Sequence, residues 1–329
     1  MPGIVYGCIT PHPPIMLSQI GRGRESQVSA SIEAMGQICR ELSQQQLDAA
    51  LIISPHGTVY PDAMGVLTAS HCWGTMAHWG AEGVDYTFDN DLDIVSAIQE
   101  GAKEAGMPLT SLSQSHYELD HGVMVPAYFL IDVLKSLPLV PLSFSLLPLE
   151  THLEFGKALA RAAEGAGKRI ALIASGDLSH RLLPEAPAGF DPIGQVFDNE
   201  ITKAVESFNS QAIVGMDQEL ILRAGECGLR SIVILMGALD GLKVKPKVLA
   251  YEGPFGVGYL TASLPVEELA LSEKSDSAHA ESLAEGEAME SGDHPLVRLA
   301  RDAVEQFVRT GDVKEPPVGF SVEMRAQAG

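Results

Sequence analysis

Three histidines stand in short polar segments that directly follow apolar runs of the sequence. His12 lies in TPHPP, His56 in SPHG and His180 in SGDLSH, and the carboxylate of Glu252 follows the run VKPKVLAY. Two imidazoles and one carboxylate are the ligands of many non-haem Fe(II) sites, and Zn²⁺ accepts the same donors. These residue types therefore indicate a metal site, with iron and zinc both open.

Two histidines could also move protons at such a site. His180 and His121, the latter in LDHGVMVP, could each be a metal ligand or a group that takes and returns a proton near neutral pH. Asp177 and Asp120 are close enough in sequence to orient an imidazole, although capping a turn or helix is an equal alternative for both.

The segments that must position these side chains are predicted to be strands, and each is followed by a loop with an ionisable group. Four segments show this pattern: IVYGCITPH (4–12), AALIISPHG (49–57), IALIASGDLSH (170–180) and VLAYEG (248–253). The second and third are nearly continuous apolar runs, which is typical of strands buried on both faces of a parallel sheet. Ligands bind beyond the carboxyl ends of such strands, so we expect His12, His56 and His180 to meet at one edge.

Helical segments separate these strands, and the whole pattern predicts an α/β fold with a mostly parallel central sheet and helices on both faces. The predicted helices cover residues 24–47, 92–106, 123–136, 151–166, 191–208, 217–225 and 229–240. The late segment KVLAYEGPFGVGYLTASL predicts two antiparallel strands, because its connection is too short for a crossover.

Local sequence also predicts how two of the candidate ligands are held. Pro11 and Pro13 restrict the backbone on both sides of His12, which would lower the entropy lost when that imidazole binds a metal. Glu252 shares its strand face with the alternating positions Val244, Pro246, Val248 and Ala250, so its carboxylate is expected to point toward the interior. A buried carboxylate needs a partner, and a metal ion would be one.

Composition narrows the classes of partner. The 329-residue chain carries a net charge of −21, which disfavours nucleic acid and anionic membranes and favours a small molecule or a protein. Its four cysteines have no CxxC spacing, and neither an export signal nor a membrane span is evident. A reduced, cytoplasmic protein is therefore expected. HCWGTMAH is interpreted as an exposed loop, and the lack of a GxSxG elbow disfavours a typical serine hydrolase.

The C-terminal part of the chain differs in composition. Residues 266–293 are rich in Glu, Asp, Ser and Ala, which predicts a disordered acidic linker. HPLVRLARDAVEQFVRTG (294–311) then places apolar residues on one face of a predicted amphipathic helix.

Taken in order, TPHPP, SPHG, LDHGVMVP, SGDLSH and AYEG resemble the motifs of the class III extradiol dioxygenase superfamily (LigB-type), which includes the Memo-like proteins. The resemblance covers about residues 1–265. It implies that His12, His56 and Glu252 bind Fe(II), that His180 acts as acid and base, and that His121 contacts the substrate. The implied reaction is the opening of a catechol-like or aminophenol-like ring with O2.

The tail resembles the first helix of an AMMECR-type domain, and its fusion to a LigB-like domain is similar to AmmeMemoRadiSam system protein A. Because the sequence ends at Gly329, before an LRGCIG-like core, we expect residues 294–329 to be the truncated start of that domain. This resemblance implies a radical-SAM partner protein. Two alternative functions stay open, namely a metal-containing binding module without ring cleavage and a Zn-dependent hydrolase. A homo-oligomer also stays open as the assembly state.

Overall fold

The computed structural model describes residues 2–113 and 117–267, which belong to the first of two compact units, Met1–Ala270. Within these ranges the chain forms ten strands: β1 (Gly3–Thr10), β2 (Ala49–Ser54), β3 (Met64–Leu67), β4 (His71–Thr75), β5 (Asp85–Asp89), β6 (Leu109–Leu112), β7 (Leu139–Ser143), β8 (Arg169–Ser175), β9 (Lys247–Glu252) and β10 (Tyr259–Pro265). The same part of the chain forms nine α-helices: α1 (Ser18–Gly21), α2 (Ser29–Ser43), α3 (Leu92–Glu104), α4 (His121–Leu134), α5 (Leu149–Gly165), α6 (Ile193–Glu206), α7 (Ser210–Val214), α8 (Gln218–Ala224) and α9 (Leu229–Ala238).

Eight strands form one mixed sheet in the order β6-β3-β7-β2-β8-β1-β10-β9. Its centre is parallel, because β8 pairs in parallel with both β1 and β2, and β2 pairs in parallel with β7. On one side, β10 is antiparallel to β1 and β9 is antiparallel to β10. The carboxyl ends of β1, β2 and β8 therefore lie side by side at one edge of the sheet.

The central strands are buried on both faces because helices cover the sheet from both sides. In β2, Leu51 and Ile53 belong to one apolar cluster while Ala50 and Ile52 belong to the other. Full burial of a single isoleucine or leucine side chain contributes about 1.5–3 kcal/mol. The apolar runs that lack alternation in the sequence thus form the middle layer of a three-layer α/β fold.

Helices α5 and α9 approach each other so closely that their contact requires glycine. A Cβ at Gly156 in α5 would collide with the carbonyl oxygen of Ile234 in α9, and a Cβ at Gly237 would collide with the carbonyl of Leu153. This contact fixes α9 against the sheet, and α9 begins next to the residues of the candidate site described below.

The predicted fold class is confirmed, and so is the late antiparallel strand pair, which is β9 and β10. The interpretation of HCWGTMAH as a loop was wrong, since its first five residues form β4, paired with β5 in a separate two-stranded sheet. β4 alternates exposed and buried residues, but its sequence carries only a weak strand signal because it is five residues long and includes Gly74. The linker predicted from residue 266 lies outside the described residues from residue 268 onward, and so does the whole predicted helix 294–311.

Candidate metal centre

His12 follows β1 and is held on both its backbone and its ring. Its backbone N–H donates a hydrogen bond to Asp177 Oδ1 at 3.0 Å, and its ring Nδ1 lies 3.0 Å from Ser175 Oγ. Both partners belong to β8, the neighbouring parallel strand, or to the loop that follows it. Only 2 % of His12 is exposed to solvent, so this imidazole forms the floor of the site.

His56 follows β2 and brings a second ring nitrogen to His12. The two Nε2 atoms lie 3.0 Å apart, and the rings meet nearly at right angles. The backbone N–H of His56 donates to Ser54 Oγ, which in turn donates to Asp120 Oδ1 at 2.6 Å. Unlike His12, His56 is exposed, and therefore it lies where the site opens to solvent.

His121 is the first residue of α4 and stacks on His56. The two ring centroids are 4.2 Å apart, with an angle of 22° between the ring planes. Asp120 caps the helix by accepting a hydrogen bond from the N–H of Gly122, as one of its two sequence interpretations predicted. Trp79 lies 5.1 Å from His121, so a half-exposed indole covers the outer side of this pair.

Cys227 supplies a sulfur atom that the sequence analysis did not single out. Its Sγ lies 3.5 Å from His12 Nε2 and 3.8 Å from His180 Nε2. The cysteine reaches this position because the next residue, Gly228, packs directly against Gly176, where a Cβ on either glycine would collide. A Cys-Gly pair just before a helix was the available signal, but nothing local in the sequence shows which strand end that helix faces.

The donor atoms of His12, His56 and Cys227 all lie within 4.8 Å of one another. Two nitrogens that each bind one ion at about 2.1 Å, about 90° apart, are separated by about 3 Å. The 3.0 Å between the two Nε2 atoms matches that separation. Nitrogen and sulfur donors in this arrangement therefore fit a single transition-metal ion.

Electrostatics at the site favour neutral imidazoles. Burial lowers the pKa of His12, and the neighbouring His56 lowers it further. Burial also lowers the pKa values of His56 and His180, and it lowers that of His121 to about 4. Neutral rings keep a lone pair for a metal ion at neutral pH, and metal binding releases no proton from them.

Two acidic groups beside the imidazoles are also shifted toward their neutral forms. Burial raises the pKa of the Cys227 thiol and raises that of the Asp177 carboxyl to about 7. A bound cation would reverse this effect for the thiol, because a thiol that binds a metal loses its proton. The metal-free cluster thus carries little charge, and a cation would convert it into a charged site.

Glu252 is not among the residues of this group. Its Oε2 accepts hydrogen bonds from both the backbone N–H and the hydroxyl of Ser31, each at 2.7 Å. Ser31 lies in the first turn of α2, where backbone N–H groups have no partner within the helix and carry partial positive charge. The carboxylate of Glu252 therefore has a hydrogen-bonding partner, as a partly buried carboxylate requires, and this partner is the N-terminus of α2. Its assignment as a metal ligand stays a prediction.

The two histidines of HCWGTMAH, His71 and His78, do not belong to the group of donor atoms. His71 is on β4, with its side chain 66 % exposed, and it pairs with Asp89 at 2.8 Å. His78 lies in a short 3-10 turn and is also exposed.

Within the described residues, no helix is long and apolar enough to cross a membrane.

The fold is shared with a solved structure. The crystal structure of the uncharacterized protein JW3007 from Escherichia coli K12 superposes with a TM-score of 0.57, at 17% identity, over 79% of this chain and 99% of that chain. The likeness shows that the two chains share an α/β fold.

The model of the family described as the catalytic LigB subunit of aromatic ring-opening dioxygenase matches residues 6–262, so the chain belongs to the LigB family. Among similar proteins, Protein CA_C1420 of Clostridium acetobutylicum is 31% identical over 96% of this chain and 69% of its own length. The 2-aminophenol 1,6-dioxygenase alpha subunit of a Pseudomonas species is 30% identical over 53% of this chain and 66% of its own length.

Proposed function

We propose that this chain is a metal-dependent dioxygenase that opens an aromatic ring with adjacent oxygen or nitrogen substituents. One observation carries the proposal: the donor atoms of His12, His56 and Cys227 converge at the strand ends of a LigB-family domain. When bound there, Fe(II) would supply a Lewis acid and a redox centre for O2. The proposal keeps Fe(II) as the first metal and replaces the expected Glu252 with Cys227 as the third ligand.

His180 is the proposed acid and base. Its Nε2 lies 3.8 Å from Cys227 Sγ, so it borders the donor group from the β8 side. Because burial lowers its pKa, the ring is neutral at pH 7 and can accept a proton from a substrate hydroxyl or amino group. The same ring can later return that proton to the product.

His121 and Trp79 are proposed to bind the aromatic substrate. The stacked rings of His56 and His121, with Trp79 beyond them, form an aromatic wall on the exposed side of the site. A planar ring can pack on such a wall while a neutral His121 donates or accepts a hydrogen bond. The similarity to a 2-aminophenol dioxygenase subunit supports an aminophenol or a catechol as the substrate class.

The experiment is anaerobic loading with Fe(II), followed by measurement of O2 uptake with 2-aminophenol, catechol and protocatechuate. We expect uptake in the wild type and its loss in His12→Ala and Cys227→Ala. His71→Ala is the matched control, because that histidine is exposed and pairs with Asp89 on the neighbouring strand β5. Stoichiometric iron without uptake on any of these substrates would contradict ring cleavage.

A second candidate, Zn-dependent hydrolysis, is favoured by the identity of the third donor. Thiolate and imidazole ligands are common at zinc sites, including catalytic ones with an open position for water. Metal analysis of protein purified without added metal separates the two candidates. Zinc in place of iron, together with ester or amide hydrolysis that a chelator abolishes, would favour this second function.

The binding of a radical-SAM partner is a separate proposal, and its support is the C-terminal sequence from residue 266 onward. A pull-down with that partner, comparing the full chain with a chain that lacks residues 266–329, tests it. Capture by both chains would assign the interaction to the LigB-like domain.

A further inference from the structure

A buried serine, Ser175, contacts Nδ1 of the His12 ring. Ser175 ends β8 and is fully buried, and its Oγ lies 2.5 Å from the carbonyl oxygen of Gly122 and 3.0 Å from His12 Nδ1. A carbonyl oxygen cannot donate, so the proton between Ser175 and Gly122 must come from the serine hydroxyl. A hydroxyl has one proton, and the serine oxygen can therefore only accept from His12.

The consequence for His12 follows from the chemistry of a neutral imidazole. Such a ring has one N–H, and if that proton is on Nδ1, then Nε2 holds the free lone pair. Nε2 is the atom that faces His56 Nε2 at 3.0 Å and Cys227 Sγ at 3.5 Å. The lone pair thus points at the place where a metal ion would lie, before any ion is bound.

The backbone N–H of the same glycine, Gly122, connects to the loop of His56. The N–H of Gly122 donates to Asp120 Oδ1 at 2.7 Å, and the same oxygen accepts a hydrogen bond from Ser54. Ser54 Oγ in turn accepts from the backbone N–H of His56 at 3.2 Å. A Cβ at Gly122 would collide with Ser54 Oγ and Asp120 Oδ1, so this connection needs glycine.

We propose that Ser175 is a positioning residue that fixes His12 in the Nδ1–H tautomer and, through the carbonyl and the N–H of Gly122, links its ring to the loop of His56. This inference rests on the proposed metal site. Partners that orient a ligating histidine contribute about 10–100-fold to metal affinity, because the ring then needs no tautomer change or rotation on binding. Ser175 itself contacts no metal or substrate in this arrangement.

The first test is carried out on the metal-free protein. Long-range ¹H–¹⁵N correlation spectra of ¹⁵N-histidine-labelled protein distinguish a protonated ring nitrogen from one with a lone pair, and the signals that disappear in His12→Gln assign the ring. We expect a protonated Nδ1 and an unprotonated Nε2. A His12 ring protonated on Nε2 overturns the inference, whether or not the protein binds metal.

The second test measures affinity for Zn²⁺ by competition with a chromophoric chelator. Ser175→Ala is expected to weaken binding about 10–100-fold, and Ser175→Thr, which keeps a hydroxyl, to restore part of the loss. Ser263→Ala is the matched control, because Ser263 is also a buried strand serine, but its hydroxyl donates to Glu41. We expect the control to bind as tightly as the wild type.

Unchanged affinity in a folded Ser175→Ala protein overturns the inference, and so does an equal loss in Ser263→Ala. If the wild type binds no metal, then the proposed function fails, while the spectra of the metal-free protein still decide the tautomer of His12. If Ser175→Ala does not fold, the wild-type spectra decide as well. The failure of one proposal is thus distinguishable from the failure of the other.

Discussion

Substituting Cys227 and Glu252 separately, and comparing the metal affinities of the two variants, gives the sharpest test of the candidate metal centre. Cys227 Sγ lies 3.5 Å from His12 Nε2, whereas the carboxylate of Glu252 binds Ser31. We therefore expect Cys227→Ala to lose most of the metal affinity and Glu252→Gln to keep it. The two substitutions test whether Cys227 is a metal ligand and whether Glu252 instead stabilises the fold.

The magnitudes follow from the contacts. Structural zinc sites with four ligands bind with roughly 10–16 kcal/mol, or about 3 kcal/mol per ligand, which corresponds to about a 100-fold loss of affinity in Cys227→Ala. Glu252→Gln keeps an oxygen that can accept from Ser31 and loses only the charge. Hydrogen bonds to charged groups contribute about 1.5–3 kcal/mol and neutral ones about 1 kcal/mol, so weakening the two bonds from Ser31 is expected to lower stability by about 1–4 kcal/mol.

The assay is a competition titration with a chelator for affinity, together with urea denaturation of the metal-free proteins for stability. His71→Ala serves as the control for both measurements, because its exposed side chain lies outside the donor group. The reasoning is refuted by the reverse pattern, in which Glu252→Gln loses the metal while Cys227→Ala retains it.

Three further predictions concern catalysis, pH dependence and packing. His180→Ala should keep bound metal but lose turnover, and loss of the metal in that variant would make His180 a ligand. Burial raises the pKa of Asp198 to about 7, so its stabilising contribution is present at low pH and is lost as pH rises from about 4 to 7. In Asp198→Asn, denaturation at pH 5 and pH 8 should therefore show a smaller fall in unfolding free energy than in the wild type, and an unchanged fall would contradict the shift. Gly156→Ala should destabilise the protein by about 1–3 kcal/mol although alanine is the better helix former, because a Cβ there meets the α9 backbone; a stabilised variant in thermal denaturation would show that α5 and α9 can separate.

Much of the sheet could be predicted from local sequence. The apolar runs before His56 and His180 have the length and composition of strands buried on both faces, and β2 and β8 are such strands. Parallel strands joined by helical crossovers end at the same edge, so strand assignment alone predicted that His12, His56 and His180 would approach one another. Strands β3, β6 and β7 were not predicted, because β3 and β6 have only four residues each and β7 contains Pro141, a residue that is rare inside strands.

Glu252 shows what a local sequence pattern leaves open. The alternation along β9 predicted an inward carboxylate in need of a partner, and the structure supplies one in Ser31 of α2. A strand pattern gives the face on which a side chain lies. It does not give the element that packs against that face, because α2 and β9 are separated by some 200 residues of sequence.

The sequence by itself determined the fold class and the placement of two imidazoles at strand ends on the same edge of the sheet, because hydrophobic periodicity and strand direction are local properties of the chain. Only the tertiary structure brought Cys227 to those imidazoles. Its position depends on Gly228 packing against Gly176 and on α9 packing against α5, and each of these contacts joins residues far apart in sequence. Which potential donor lies beside the two imidazoles is therefore decided by long-range packing.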